Sequence, residues 1–230
     1  MVTCCALIAA FNEEERIADV VRGTAVHAAP VVVIDDGSTD RTASKAREAG
    51  AVVLEHGENR GKGCAIRTGL GFALAQPCSH VLFLDADLQH DPSEIPRLVS
   101  RAAQGSGDFV LGEREFRREA MPASRYHSNV IGSAILSRFI GTAVSDSQSG
   151  FRLIRASLLR QVQLTATGYE IETEMLIKLV RAGAALDRVT LRRLDYQCAR
   201  SKMRPVRDTF RTCMLALRYR YLSPLKLRAY

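Results

Sequence analysis

The sequence has 230 residues, 47% of them hydrophobic, which is enough to bury a core and fits one catalytic domain with an appendage. Its formal charge of +7 calls for an anionic partner without choosing among nucleic acid, phospholipid and a phosphorylated substrate. No apolar run reaches the roughly 18 residues of a bilayer-spanning helix, and the stretch from Cys4 to Phe11 lacks the preceding basic residue of a secretory leader.

In chain order, short apolar runs alternate with helical patterns. A run at 4–10 precedes a helical pattern at 13–27, and the same pairing recurs at 31–35 with 40–49, 51–55 with 62–75, and 80–85 with 92–103. A last run lies at 108–112. Strand and helix in turn predict a mostly parallel, doubly wound α/β sheet, in which ligands bind beyond the carboxyl ends of the strands. The polar residues at those ends are Asn12, Glu13, Asp35, Asp36, Asn59, Asp85, Asp87 and Arg114. From Arg117 the alternation stops. A long helix at 124–140 leads into Asp146-Ser147-Gln148-Ser149-Gly150, followed by a short strand near Phe151, a helix at 170–182 and a strand at 186–196. The six cysteines form no CxxC pair and no zinc spacing, so they read as reduced core residues.

Two segments carry chemistry on their own residues. Val31 to Asp40 is a buried strand ending in Asp35-Asp36-Gly37, where a carboxylate can accept hydrogen bonds from a nucleobase or ribose, or can serve the turn alone. Phe83-Leu84-Asp85-Ala86-Asp87-Leu88-Gln89-His90 puts two carboxylates two residues apart at a strand end, so that both project to one side. Oxygens from Asp85, Asp87 and Gln89 suit a hard cation, Mg²⁺ or Mn²⁺, whose other positions go to phosphate and water. The glycine cluster at 57–71 follows the third strand rather than the first, and Gly61-Lys62-Gly63 lacks the hydroxyl residue after lysine that a P-loop requires. His90 and His127 have no partner legible in the sequence and are expected to be structural.

Beyond residue 200 the basic residues Arg200, Lys202, Arg204, Arg207, Arg211, Arg218, Arg220, Lys226 and Arg228 face one acid, Asp208. A helix over 206–221 would align Phe210, Met214, Leu217 and Tyr221 beside a stripe of Arg207, Arg211 and Arg218, the pattern of an interfacial helix. The alternative is an apolar stripe packed on the catalytic domain.

Together these segments resemble family 2 glycosyltransferases of the GT-A fold, specifically the polyprenyl-phosphate (dolichol-phosphate-type) sugar transferases, including the mannosyl enzymes. The likeness runs from Ala9 to about Arg211. Ala9-Ala10-Phe11-Asn12-Glu13, Asp35 to Asp40, Asn59-Arg60-Gly61-Lys62-Gly63 and Asp85 to His90 match the donor and metal motifs, with Ala9 where proline is usual. Gly112-Glu113-Arg114, Arg125 with Ser128, Asp146 to Arg152 and Gly168 to Glu172 match the acceptor side. Ser201-Lys202 matches the end of a flexible arginine-rich loop, although Tyr196 and Ala199 stand where its longer form has arginine and glycine.

The resemblance implies a catalytic domain over 1–200, divided into a nucleotide-sugar and metal half at 1–116 and an acceptor half at 117–200, with a basic amphipathic tail at 201–230. Donor contacts fall to Ala9, Phe11, Asn12, Glu13, Asp36, Lys62, Asp85, Ala86, Asp87, Gln89, Arg200 and Lys202. Acceptor contacts fall to Arg114, Arg125, Ser128, Arg152 and Glu172, and Asp87, Arg125 and Asp146 carry the catalytic roles. For Arg125 the alternative is a solvated helix face; Asp146 would orient a loop arginine or a sugar hydroxyl, with a purely structural role as its alternative. The implied reaction is an inverting transfer of mannose or glucose from a GDP- or UDP-sugar to a polyprenyl phosphate. The implied location is peripheral, at the cytoplasmic face of an anionic membrane, with a membrane protein as a further candidate partner and no nucleic acid. A non-catalytic nucleotide-sugar binder or membrane-docked scaffold, and a transferase to a non-lipid acceptor, are the competing readings.

Overall fold

β1 (Cys4–Ala10) is the strand about which the sheet is wound, paired in parallel with β2 (Val31–Asp35) on one side and β4 (His80–Asp85) on the other. The computed structural model describes residues 1–105, 107–114, 123–192, 214, 215 and 219, with the backbone alone at 123–129. β3 (Val52–Glu55) extends the β2 edge in parallel. Beyond β4 lie β6 (Arg152–Arg155), β5 (Phe109–Glu113) and β7 (Leu186–Thr190), giving the order β3-β2-β1-β4-β6-β5-β7. The mostly parallel α/β sheet expected from the alternation is present. β6 is its departure: it is inserted between β4 and β5 and runs antiparallel to both.

Period-two burial sorts the strands into two cores. Cys5 and Leu7 of β1, Val32 and Ile34 of β2 and Val81 and Phe83 of β4 face a layer containing α3 (Lys62–Ala73), α5 (Ala123–Ile140), α6 (Ala156–Gln161) and α7 (Ile171–Arg181). Cys4, Ala6, Ile8, Val31, Val33, Leu82 and Leu84 face the layer of α1 (Ile17–Ala25), α2 (Thr42–Glu48) and α4 (Ile95–Gln104). Both faces being covered, β2 is buried at every residue, which explains why it reads as an unbroken apolar run ending in an acid.

Helix starts differ from the sequence pattern for local reasons. α1 begins at Ile17 rather than at 13, because the amides of Glu13 and Glu14 donate to Thr42 Oγ1 and Asp40 Oδ2 instead of entering a helix. Pro92 begins a single 3-10 turn capped by Asp91, whose carboxylate accepts the Ser93 amide, and α4 follows with Ile95, Leu98 and Ala102 buried at helical spacing. α6 was not legible as a separate helix, and β7 ends at Thr190, the remainder of the expected strand from 193 onward lying outside the described residues. α7 is buried nearly all round, with Glu172, Glu174 and Lys178 among its buried residues, so its charges must be matched inside the protein. Among the described residues no helix is long and apolar enough to cross a membrane.

Candidate functional site

The chain turns from β3 at one edge back to β4 beside β1, and the crevice beyond the ends of β1 and β4 is where the strand order reverses. At β1's end Asn12 takes a left-handed conformation with φ of 52°. Its side-chain oxygen accepts the Thr39 amide at 2.8 Å, and its own amide donates to Ser38 Oγ at 2.9 Å, so the loops after β1 and β2 are tied together. Ala9 lines the pocket beneath the crevice, and Glu13 is buried with its carboxylate 3.3 Å from Arg16.

Asp36 is 3% exposed, and its amide continues the sheet pattern onto Ala10. Its carboxylate accepts the amides of Arg60 at 3.0 Å and Gly61 at 2.8 Å and lies 2.7 Å from His56 Nδ1. Expected to meet a base or ribose, Asp36 here has each oxygen engaged by the chain, so its first action is to hold the loop that leads into α3. His56 was missed from sequence: a single histidine after the third strand carries no motif, and its position at the ligand edge was the one available signal.

Lys62 opens α3, and its ammonium lies 2.5 Å from Asp85 Oδ1 and 2.5 Å from Glu172 Oε1. Burial works against both charges, but each reverses the other's penalty: Lys62 is held above the ordinary lysine range by Asp85 and Glu172, and Asp85 well below the ordinary carboxylate range chiefly by Lys62. Gly61 has φ of +95°, and a Cβ there would stand 2.5 Å from the Thr167 carbonyl, so only glycine delivers Lys62 to this place. Gly150 is required for a different reason, since its Cβ would lie 2.5 Å from Asp85 Oδ2. Glu172, expected on the acceptor side, is joined to Asp85 through Lys62.

Beyond Asp85, Ala86 is buried, and Asp87 Oδ1 accepts the Gln89 amide at 3.0 Å across a turn whose Leu88 has φ of 59°. Burial, and then the neighbouring charge of Asp85, push the Asp87 carboxyl up. Gln89 Oε1 accepts from Arg114 NH1 at 3.3 Å. Arg114 grips buried Asp146 two-pronged, Nε to Oδ2 at 2.7 Å and NH2 to Oδ1 at 3.1 Å. Asp146 thus orients an arginine, one of the roles left open for it.

The donor set was tested for a cation on these contacts. Among the described residues no group of three or more His, Cys, Asp or Glu side chains gathers to hold a metal, Asp85 is matched by Lys62, and Gln89 is engaged by Arg114. Asp87 has no ion pair among those residues and is opposed by a second carboxylate, an imbalance that a hard cation relieves. Asp87, with the second lone pair of Gln89 Oε1, therefore fits a Mg²⁺ or Mn²⁺ completed by phosphate oxygens and water, with Asp85 committed first to Lys62.

Arg152, expected on the acceptor side, is 1% exposed, and its guanidinium donates to the backbone carbonyls of Ser149, Ser147 and Glu172, so it braces the Asp146–Gly150 loop against α7. His90 is buried against Phe151, with Nε2 3.7 Å from Asp85 Oδ2, longer than a hydrogen bond. Arg125 and Ser128 lie on α5, their side chains outside the described residues, as are Arg200, Lys202, the loop at 196–202, and Phe210, Leu217, Tyr221, Arg207, Arg211 and Arg218 of the tail. Of the tail's apolar stripe Met214 is exposed, whereas Tyr219, which at helical spacing falls opposite that stripe, packs on the core and donates its hydroxyl to Glu174 at 2.8 Å.

Comparison with known proteins follows from this geometry. The profile described as Glycosyl transferase family 2 matches residues 5–163. A UDP-N-acetylglucosamine–dolichyl-phosphate N-acetylglucosaminyltransferase of Methanococcus voltae is 31% identical over 196 residues, covering 74% of this chain and 77% of the relative. An undecaprenyl-phosphate mannosyltransferase of Micrococcus luteus is 30% identical over 190 residues, covering 78% and 77%. Glucosyl-3-phosphoglycerate synthase of Mycobacterium tuberculosis, crystallised with Mn²⁺, UDP-glucose and glycerol 3-phosphate, shares the fold with a TM-score of 0.70 over 98% of this chain and 82% of that one, at 24% identity.

Proposed function

The chain belongs to glycosyl transferase family 2, and from that premise we propose that it transfers a sugar from a nucleoside diphosphate to a polyprenyl phosphate, with inversion at the anomeric carbon. The observation that carries the reading is the pair of cations flanking the carboxylate turn: Lys62 beside Asp85 and Glu172, and Arg114 beside Gln89 and Asp146. One cation serves the donor diphosphate and the other faces the side where a second phosphate approaches. The relatives named for dolichyl and undecaprenyl phosphate support a lipid acceptor.

A lipid phosphate is ionised at neutral pH, so its oxygen attacks without a general base. The bond from that oxygen to the anomeric carbon forms as the bond to the diphosphate breaks, and the electron pair leaves on the nucleoside diphosphate. Lys62 and Arg114 then act by alignment and by charge stabilisation. Mg²⁺ or Mn²⁺ held by Asp87 and Gln89 would offset charge on the departing diphosphate. Mannose and glucose are the sugars we favour, on GDP or UDP. The basic residues of the tail support a peripheral location at the cytoplasmic face of an anionic membrane, in a division with residues 1–200 catalytic and 201–230 the docking segment.

The test supplies the purified protein with GDP-mannose, UDP-glucose and UDP-N-acetylglucosamine, each with polyprenyl phosphate, and reads the mass of the lipid fraction. One glycosylated lipid phosphate is expected. Transfer to water-soluble acceptors only would overturn the lipid assignment.

A further inference from the structure

Asp36, His56 and the loop before α3 close a hydrogen-bonded circuit. Thr68 of α3 lies 3.0 Å from His56 Nε2, His56 Nδ1 lies 2.7 Å from Asp36 Oδ1, and the Asp36 carboxylate accepts the amides of Arg60 and Gly61. Gly61 leads directly to Lys62, where the same helix begins. The imidazole thus bridges the two side chains, Nδ1 on the Asp36 carboxylate and Nε2 on the Thr68 hydroxyl. The side chains of His56 and Asp36 are each 5% exposed, so water competes little for these bonds. The His56 amide donates to the Asp35 carbonyl at 2.9 Å, which pins the residue to the end of the sheet.

The circuit bears on Lys62 from behind. Where α3 starts decides where its first side chain points, and the start is set by the amides that Asp36 holds. Without the imidazole, Asp36 keeps two amide donors but loses its side-chain donor and its tie to Thr68, so the loop at 57–61 gains freedom. The penalty falls on the placement of the Lys62 charge.

We propose that His56 is a positioning residue of the donor site: by holding Asp36 against the amides of Arg60 and Gly61 it sets the start of α3 and aims Lys62 at the donor's diphosphate. This rests on the nucleotide-sugar reading of the site. His56 touches no reacting atom and acts through Asp36 and Lys62.

The experiment uses the full chain and two readouts: calorimetric titration with GDP and with UDP, and steady-state KM and kcat for the nucleotide sugar. His56→Phe keeps a ring and loses both bonds. It is expected to raise the dissociation constant of the bound nucleotide and the donor KM about ten-fold while kcat stays within about three-fold, the size of a lost charge-assisted hydrogen bond. His56→Gln, which retains an N–H for Asp36, is expected to recover most of that loss, and Thr68→Val to cost about three-fold. Unchanged nucleotide affinity and KM in folded His56→Phe, or a loss confined to kcat, overturns the assignment. If circular dichroism shows His56→Phe unfolded, Thr68→Val decides, and unchanged affinity and KM there is the overturning result. A wild-type chain that binds neither nucleotide and turns over no nucleotide sugar defeats the donor-site reading itself, an outcome separate from wild-type binding with indifferent variants.

Discussion

Asp36 and Asp146 are both buried carboxylates at the ligand edge, yet they are satisfied in different ways. Asp36 accepts two backbone amides and an imidazole, all within the loops that follow β2 and β3. Asp146 is satisfied mainly by one guanidinium, that of Arg114, which reaches it from β5's end and extends to Gln89. A carboxylate held by backbone amides fixes a loop, because amides move only with the chain. A carboxylate held by an arginine instead fixes a side chain, whose planar fork is set in one orientation by the two-pronged pair. The corner at Asp36 is therefore preorganised through its backbone, and the corner at Asp146 through side-chain pairs.

The largest disturbance of this contrast removes the unmatched acid between the two corners. Asp87→Ala is expected to lower nucleotide-sugar turnover by about 10²–10³-fold or more, as loss of a group that stabilises leaving-group charge does. Retained metal-dependent turnover in a folded variant would contradict the assignment of Asp87.

Next comes the cation that couples the corners. Lys62→Met leaves Asp85 and Glu172 facing each other unmatched, and removal of one partner from such a buried cluster costs about 3–5 kcal/mol. Urea denaturation should show that loss together with a fall in donor kcat/KM of at least about ten-fold. A variant as stable as the parent would mean that the two carboxylates do not depend on Lys62.

Asp146→Asn sharpens the comparison from the acceptor side. Arg114 loses its two-pronged counter-charge, worth about 1–3 kcal/mol, so acceptor KM should rise about ten-fold while donor KM stays within about two-fold. Equal increases in both would show that the corners are not separately organised.

The smallest effects belong to the contact between the tail and α7. Glu174 accepts from Thr165, the Ala166 amide, Lys178 and Tyr219. Burial pushes its carboxyl up, but hydrogen bonds from Lys178, Ala166 and Thr165 outweigh burial and hold it below the ordinary 4.5. Because the folded group titrates below the unfolded one, its stabilisation is complete above pH 4.5 and is lost as pH falls from there through the folded value. Glu174→Gln should flatten that acid-side loss in a series of denaturation curves. Tyr219→Phe, which deletes one hydroxyl, should cost about 1 kcal/mol at neutral pH.

Much of this molecule was legible from local pattern. The alternation of apolar runs and helical periods located the strands through β5 and the helices between them, and it put acids at the ends of β2 and β4. The antiparallel β6 was harder to read, because a four-residue strand after an irregular loop carries no sign of where it will insert. In the site, the spacing of Asp85 and Asp87 after an apolar strand was legible as a carboxylate pair at the end of β4, whereas nothing local showed that the Arg152 guanidinium would be engaged by three carbonyls. A motif shows that an arginine is present but not whether backbone oxygens surround it.

What the sequence determined by itself is everything set within a few residues: period-two strands buried on both faces, turns at Gly37 and Gly61, and two carboxylates projecting together from the end of β4. What only the tertiary structure decided is which charge meets which. Lys62 pairs with Asp85 and with Glu172, 23 and 110 positions away, and His56 reaches Asp36 across 20. Those meetings follow from strand order and register, which bring distant strand ends to one edge, and the low dielectric of a buried edge then makes each pairing obligatory.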